Sequence, residues 1–217
     1  MREHETRVVI VEDQPLYRSM LRTLLESHGL RVVAEAGGAA AARAAIEPGS
    51  ADVALLDIHL ADGNGIGLGV SLRRADPELG IVLLSSQDSV ELMLDLPLDV
   101  RRGWCYLSKS SATSEESLLR AIAAAQRGET MIDPHVLRGL TRRRHSSLES
   151  LTDRQFEVLR LVAQGLSNQG IAERLRLSVK SIENHLGSVY AALDIPAEQN
   201  QRVAAVLRLI DETVREP

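Results

Sequence analysis

The chain has 217 residues, of which 44% are hydrophobic and 25% charged, so it is long enough for one large or two small soluble domains. Its single cysteine, Cys105, excludes an intrachain disulfide and fits a reducing compartment. No stretch approaches the roughly 20 apolar residues that cross a bilayer, and no apolar signal-peptide core precedes the first strand-like run. We therefore expect a cytoplasmic protein without a membrane partner. The net charge of −5 excludes nucleic-acid binding through overall positive charge.

The first half, residues 1–127, alternates short β-branched runs with alanine- and leucine-rich amphipathic segments. Strands are predicted at residues 7–11, 31–36, 53–57, 81–85 and 104–107. Helices are predicted at residues 15–27, 39–46, 66–74, 89–96 and 115–127. Apolar strands that alternate with helices indicate a buried parallel sheet. We predict an α/β domain with a five-stranded doubly wound parallel sheet, whose functional residues gather outside the carboxyl ends of the strands.

Residues 128–150 differ in composition, and the stretch 127–150 carries a net charge of +2. They contain an Asp133-Pro134 pair and the basic stretch TRRRHSS. A short helix is predicted at residues 135–140, within what we interpret as a polar linker between two domains.

The last segment, residues 151–217, is helical throughout and has a net charge of −1. Thr152 and Gln155 are spaced as a capping box for its first helix, which ends at Gly165. Further helices are predicted after Ser167 to about residue 175, after Ser178 to about residue 193, and at residues 201–214. We predict an all-α domain of four helices.

Acidic, hydroxyl and basic side chains stand at four of the predicted strand ends. Glu12 and Asp13 follow the first strand, Asp57 ends the third, Ser85 ends the fourth and Lys109 follows the fifth. Carboxylates crowded at one sheet edge need a cation, and a site made of oxygen ligands suits Mg²⁺. Asp57 is the candidate nucleophile, which would form an aspartyl phosphate. Lys109 and Mg²⁺ would then offset the phosphoryl charge, and the Ser85 hydroxyl would donate to a phosphoryl oxygen.

Four segments of the first domain resemble the CheY-like receiver family. These are VVIVEDQPLYR, VALLDIHLADGNGI, IVLLSSQDS and YLSK. The magnesium ligands that the resemblance implies are Glu12, Asp13, Asp57 and the backbone carbonyl of His59. The residues that it implies for phosphorylation are Asp57 as phosphoacceptor, Ser85, Lys109, and Tyr106 as a rotameric switch. A cognate sensor histidine kinase is the implied phosphodonor.

Two features depart from the receiver pattern. Ser110 follows Lys109 where many receivers have proline, and the segment 88–104 is unusual, with Pro97 interrupting its predicted helix. Receivers signal through this surface. The alternative to a phosphorylation-dependent regulator is therefore an orphan regulator of the same architecture that acts independently of phosphorylation.

The second domain resembles the LuxR-type helix-turn-helix of the NarL/FixJ regulator class over residues 151–193. The resemblance implies that the helix at residues 179–193 enters the major groove of DNA. The residues of this helix expected to face DNA are Lys180, Ser181, Asn184, His185 and Ser188. Because residues 151–217 have a net charge of −1, we expect few ionic contacts with DNA. Further candidate phosphate contacts are Arg174, Arg176 and Arg202. Ala192 stands where a lysine of the family commonly reaches phosphate.

The expected function is that of a DNA-binding transcriptional response regulator of a two-component system. Its expected partner is double-stranded DNA with a palindromic operator, bound by a homodimer that forms when Asp57 is phosphorylated. A phosphatase of the haloacid-dehalogenase type also uses a strand-end aspartate and Mg²⁺. It needs a second aspartate two residues on, where this chain has His59, so we predict that the chain is not an enzyme. A module that sequesters a partner without binding DNA is a further alternative.

Overall fold

The computed structural model describes residues 5–86, 100, 103–138, 140–143 and 146–215. The strands of the first half and the linker are β1 (Arg7–Val11), β2 (Arg31–Ala36), β3 (Val53–Asp57), β4 (His59–Leu60), β5 (Gly63–Asn64), β6 (Gly80–Ser85), β7 (Trp104–Ser108) and β8 (Met131–Ile132). β4 and β5 form a small antiparallel hairpin. The other six form one parallel sheet in the order β2-β1-β3-β6-β7-β8.

The sheet has six strands in the described residues, so the prediction of five was wrong by one. The five predicted strands are present within one residue of their predicted ends. The sixth, β8, consists of two fully buried residues that pair with Cys105 and Tyr106 of β7. Two apolar residues are too short a run for any periodicity to reveal a strand.

Helices cover both faces of the sheet. They are α1 (Pro15–Ser27), α2 (Ala39–Ala45), α3 (Gly65–Ala75), α4 (Lys109–Ala112) and α5 (Glu115–Gln126). Four of the predicted helices are confirmed to within a residue at each end, and the short α4 was not predicted. The helix predicted at residues 89–96, together with Pro97, lies outside the described residues.

Alternate side chains of the strands pack on opposite faces of the sheet. Val8 and Ile10 belong to the apolar cluster shared with α1 and α5, whereas Val9 and Val11 belong to the cluster shared with α2 and α3. Trp104 is the largest side chain on the face covered by α2 and α3, and it is fully buried. A Cβ at position 69 would lie 2.7 Å from its ring, so glycine there allows α3 to pack closely.

The linker is more ordered than its polar composition indicated. It contains α6 (Pro134–Arg138), which overlaps the helix predicted at residues 135–140, then β9 (Leu140–Arg142) and a 3-10 turn (Ser147–Ser150). β9 pairs antiparallel with β10 (Thr213–Arg215) at the far end of the chain. The helix predicted to reach residue 214 therefore ends earlier, because β-branched Thr213 and Val214 pair with the linker instead.

Within residues 151–215, which the structure describes, the second domain has four α-helices, as predicted. They are α7 (Asp153–Ala163), α8 (Asn168–Leu175), α9 (Val179–Ala192) and α10 (Gln201–Asp211). The predicted capping box is confirmed: Thr152 Oγ1 accepts the Gln155 N–H at 3.2 Å, and Gln155 Oε1 accepts the Thr152 N–H at 2.8 Å. Gly165 adopts φ +77° in the turn after α7.

The two domains contact each other through the linker. Arg160 of α7 donates to the carbonyl of Leu137 in α6 at 2.7 Å. A Cβ at Gly165 would lie 2.8 Å from the sulfur of Met131 in β8, so this turn also packs against the sheet of the first domain. Across the part of the chain that the structure describes, each helix is too short or too polar to cross a bilayer.

Candidate functional site

The carboxyl ends of β1 and β3 bring three acidic side chains together. Glu12 follows β1 and Asp57 ends β3, and both are buried, while Asp13 is half-buried. One carboxylate oxygen of each residue lies within 4.8 Å of the oxygens of the other two. Because β1 and β3 are adjacent and parallel, the acidic residues at their ends meet at one edge of the sheet.

Lys109 lies between two of these carboxylates. Its Nζ donates to Asp57 Oδ2 and to Glu12 Oε1, each at 3.0 Å, and lies 2.8 Å from Glu12 Oε2. The lysine is the first residue of α4, and the hydroxyl of Ser108 caps that helix by accepting the Ser111 N–H at 3.1 Å. Lys109, which directly follows β7, thus places one positive charge beside the acidic cluster.

Burial and charge shift the pKa values around the cluster. Burial raises the pKa of Glu12, although hydrogen bonds from Lys109 and from the Gln14 N–H oppose the shift. Burial also opposes the charge on Lys109, but its hydrogen bonds with Glu12 and Asp57 outweigh this and raise its pKa. Burial, with the two carboxylate charges, raises the pKa of Tyr17, whose protonated hydroxyl donates to the Lys109 carbonyl at 3.2 Å.

The acidic cluster fits a small divalent cation. Glu12 Oε2 is buried and forms no hydrogen bond of acceptable geometry in the described residues, although the Lys109 ammonium lies 2.8 Å from it. One ammonium does not neutralise three crowded carboxylates, and such crowding is costly unless a further cation offsets it. Three carboxylates and one ammonium leave a formal charge of −2, which one divalent cation would balance. The donors are all oxygens, which Mg²⁺ prefers.

The other residues predicted for phosphorylation lie around this edge. Ser85 ends β6, the strand next to β3, and is fully buried. Tyr106 lies in the middle of β7 with its side chain buried in the apolar cluster on the α3 face. His59 is exposed, and its backbone N–H donates to Asp57 Oδ1 at 3.1 Å, so its peptide lies beside the acceptor carboxylate.

Two features of the loop after Asp57 were missed in the sequence. A Cβ at Gly65 would clash with the Asp57 carbonyl oxygen, so only glycine lets the loop fold back this closely. Asp62 accepts the N–H groups of Ala39 and Ala40 at 2.7 and 3.0 Å, and these bonds lower its pKa. The acid thereby caps α2 and holds the loop beside the acidic cluster. Spacing gave no signal for a cap that lies 22 residues away from its helix.

The second candidate site is the outer face of α9. The apolar residues Ile182, Leu186 and Val189 are buried against the domain core. Of the residues predicted to face DNA, Lys180, Asn184 and Ser188 are exposed, and Ser181 and His185 are half-buried. Lys180 forms an exposed ion pair with Glu183 at 3.2 Å. The helix therefore presents polar groups and one lysine to solvent.

The three arginines predicted to contact phosphate lie in different surroundings. Arg174 and Arg176 are exposed at the end of α8, and Arg176 adopts the left-handed conformation with φ +53°. Arg202 lies at the start of α10 and is half-buried. Its guanidinium donates to the Leu166 carbonyl and to Asn168 Oδ1, and burial lowers its pKa. These hydrogen bonds already occupy Arg202 within the domain.

Comparisons with known proteins match both halves of the chain. The response regulator receiver domain matches residues 8–123, and the family of bacterial regulatory proteins of the luxR type matches residues 149–208. This chain is a response regulator. It belongs to the class that joins a receiver to a LuxR-type helix-turn-helix, so the resemblance noted in the sequence is confirmed.

Two relatives resemble this response regulator over nearly their whole lengths. One is the DNA-binding transcriptional activator DevR/DosR of Mycobacterium tuberculosis, 34% identical over 207 residues, which covers 92% of this chain and 93% of the relative. Another is the nitrate/nitrite response regulator protein NarP of Escherichia coli, 33% identical over 215 residues and 95% of each chain. A solved structure of the RcsB response regulator of Salmonella typhimurium matches with a TM-score of 0.54 and 25% identity, over 96% of this chain and 99% of RcsB.

Proposed function

We propose that this response regulator accepts a phosphoryl group on Asp57 and, in that state, controls transcription by binding double-stranded DNA through α9. The observation that supports the first half most directly is the ion pair of 3.0 Å between Lys109 Nζ and Asp57 Oδ2, beside two further carboxylates. A cation fixed at an acceptor oxygen favours the charge that builds up during phosphoryl transfer.

The proposed transfer uses a carboxylate oxygen of Asp57 as nucleophile. This oxygen forms a bond to phosphorus while the phosphorus–nitrogen bond of a phosphohistidine on the cognate sensor kinase breaks. The leaving nitrogen keeps the electron pair of that bond. Because the other ring nitrogen of the phosphohistidine carries a proton, histidine leaves as a neutral imidazole. Lys109 is close enough to Asp57 to pair with the new phosphoryl oxygens, and the hydroxyl of Ser85 stands at the next strand end to donate to them.

The acidic cluster would hold Mg²⁺ through Glu12, Asp13, Asp57 and the carbonyl of His59. When bound, the ion supplies positive charge that offsets the charge of the incoming phosphoryl group. The chain's own contribution is to fix the carboxylates: the Gln14 N–H donates to Glu12 at 3.1 Å, and the His59 N–H donates to Asp57.

Phosphorylation is tested with acetyl phosphate and Mg²⁺, followed by mass measurement of the intact chain. We expect one added phosphoryl group on the wild type and none on Asp57→Ala. Asp76→Ala is the matched control, because Asp76 lies after α3 at the opposite edge of the sheet. Equal labelling of Asp57→Ala and the control would reject the assignment. Full DNA binding by the unlabelled wild type would favour the orphan regulator instead.

DNA binding is supported by the polar exposed face of α9 and by the similarity to DevR/DosR, which is a DNA-binding transcriptional activator. A single helix of 14 residues contacts only a few base pairs, so a homodimer on a palindromic operator is the arrangement that gives specificity. We propose that phosphorylation promotes this dimer. Sedimentation of the chain with and without acetyl phosphate tests it, and a monomer in both states on DNA would refute it.

A further inference from the structure

Asp133 is a fully buried carboxylate at the junction of the receiver and the linker. Its Oδ2 accepts the backbone N–H of Ser108 at 2.8 Å, and its Oδ1 accepts that of His135 at 2.7 Å. These bonds and the hydroxyls of Ser108 and Ser111 outweigh burial and lower the pKa of Asp133. The acid is therefore ionised at neutral pH and is held by neutral donors.

One side of Asp133 leads to the phosphorylation site. Ser108 is the N-cap of α4, and the next residue, Lys109, reaches Asp57 through its side chain. Two consecutive residues are thus held from different sides: Asp133 accepts the N–H of Ser108, and the acidic cluster binds the side chain of Lys109. A shift of Lys109 toward a phosphoryl group on Asp57 would pull on the hydrogen bond to Asp133.

The other side of Asp133 leads to the output domain. The carbonyl of Asp133 accepts the N–H of Leu137 at 3.1 Å, which makes Asp133 the start of α6. Leu137 is buried, and its carbonyl accepts a hydrogen bond of 2.7 Å from Arg160 of α7. A continuous series of short contacts therefore joins the lysine of the phosphorylation site to the first helix of the DNA-binding domain.

We infer that Asp133 is a positioning residue that couples the state of Lys109 to the linker helix α6 and thereby to the output domain. Because one carboxylate binds both elements, α6 and the start of α4 move together. This inference rests on the proposed phosphorylation of Asp57.

The two oxygens of Asp133 can be separated by substitution. Asp133→Ser keeps an oxygen that caps α6, since serine is a good N-cap, but has no second oxygen for the Ser108 N–H. Asp76 offers a matched control, because its Oδ1 accepts the N–H of Glu78, also two residues on, and its Oδ2 accepts that of distant Gly49. Asp76→Ser makes the same chemical change at the opposite edge of the sheet.

The experiment measures hydrogen–deuterium exchange of the full chain with Mg²⁺, before and after labelling with acetyl phosphate. The readout is the ratio of exchange rates of residues 134–138 in the two states. In the wild type and in Asp76→Ser we expect this ratio to differ from one by about fivefold or more. In Asp133→Ser, labelled to the same extent, we expect the ratio to be close to one. Slower labelling of Asp133→Ser than of Asp76→Ser would also support the coupling, because it would report a displaced Lys109.

Other outcomes would overturn the inference. A labelled wild type without any change at residues 134–138, or a labelled Asp133→Ser that changes as the wild type does, would reject the coupling alone. A wild type that takes up no phosphoryl group would reject the proposed function and this inference with it. Asp133→Asn, which keeps one acceptor oxygen and the original size, replaces Asp133→Ser with the same outcomes if the serine variant does not fold.

Discussion

Lys109 and Lys180 belong to the two functional regions of the chain, and their surroundings differ. The side chain of Lys109 is 13% exposed and pairs with Glu12 and Asp57, whereas that of Lys180 is 78% exposed and pairs only with Glu183 in the described structure. Removal of one partner from a buried ion pair strongly destabilises the fold. An exposed ion pair contributes only about 0–1 kcal/mol to the free energy of unfolding. The receiver therefore holds its lysine in a buried ion pair, whereas the output domain leaves Lys180 exposed to solvent.

The largest expected effect is that of Lys109→Ala. It leaves the Glu12 and Asp57 carboxylates without their cation, so we expect the free energy of unfolding to fall by about 3 kcal/mol. Labelling of Asp57 by acetyl phosphate should slow by roughly a hundredfold or more. Urea unfolding and timed mass measurements provide the two readouts.

Lys180→Ala is the matched control for that experiment. We expect it to change the free energy of unfolding by no more than about 0.5 kcal/mol and to leave labelling unchanged. Similar losses of stability in the two alanine variants would mean that burial does not distinguish the two lysines.

The next largest effect on stability is expected at Asp133, whose buried negative charge is held by neutral hydrogen-bond donors and not by a lysine. The pKa of Asp133 lies below the ordinary value of 3.8, so its ionised form stabilises the fold above that pH. This stabilisation is lost as the pH falls through the lowered pKa. We expect Asp133→Ser to be about 2 kcal/mol less stable than the wild type at neutral pH, with the difference shrinking below about pH 4. Urea titrations at several pH values measure it, and a gap that widens with acid would contradict the assignment.

A smaller effect is expected at the DNA surface. Lys180→Ala should weaken binding severalfold and should reduce the slope of log affinity against log salt by about 0.9 for each subunit that contacts DNA. Fluorescence anisotropy on a genomic fragment selected by the phosphorylated chain provides the measurement. Glu183→Gln is the companion variant and should tighten binding, since it removes the carboxylate that competes for Lys180. Indifference of binding to both changes would place the DNA surface elsewhere.

The smallest effect is expected from Ala192→Lys. Ala192 is exposed at the end of α9, where a new cation can contact phosphate without reading bases. Affinity for the selected fragment and for a scrambled one should rise by the same modest factor. A gain confined to the selected fragment would show that this position contributes to base recognition.

The parts of the site that the sequence predicts are those whose signal is local. Asp57 ends an apolar strand, and the capping box needs only Thr152 and Gln155 at the right spacing. The sequence marks Asp133 only as part of a polar linker, because its partner Ser108 lies 25 residues away and donates through its backbone. The position of Arg202 on an amphipathic helix predicts a phosphate contact. In the structure its guanidinium donates to the carbonyl of Leu166, in the turn before α8. Partners distant in sequence that contribute only backbone atoms leave no pattern in the side chains.

The pairing of β9 with β10 limits how far the two domains can separate. The linker helix α6 ends at Arg138 and β9 begins at Leu140, so one residue connects the receiver side to the ribbon that closes the output domain. Two virtual bonds between Cα atoms span at most about 7 Å. While both elements persist, the start of β9 therefore stays close to the end of α6. A dimer whose DNA-binding helices must reach half-sites farther apart than this short connection permits would first have to break the pairing of β9 with β10.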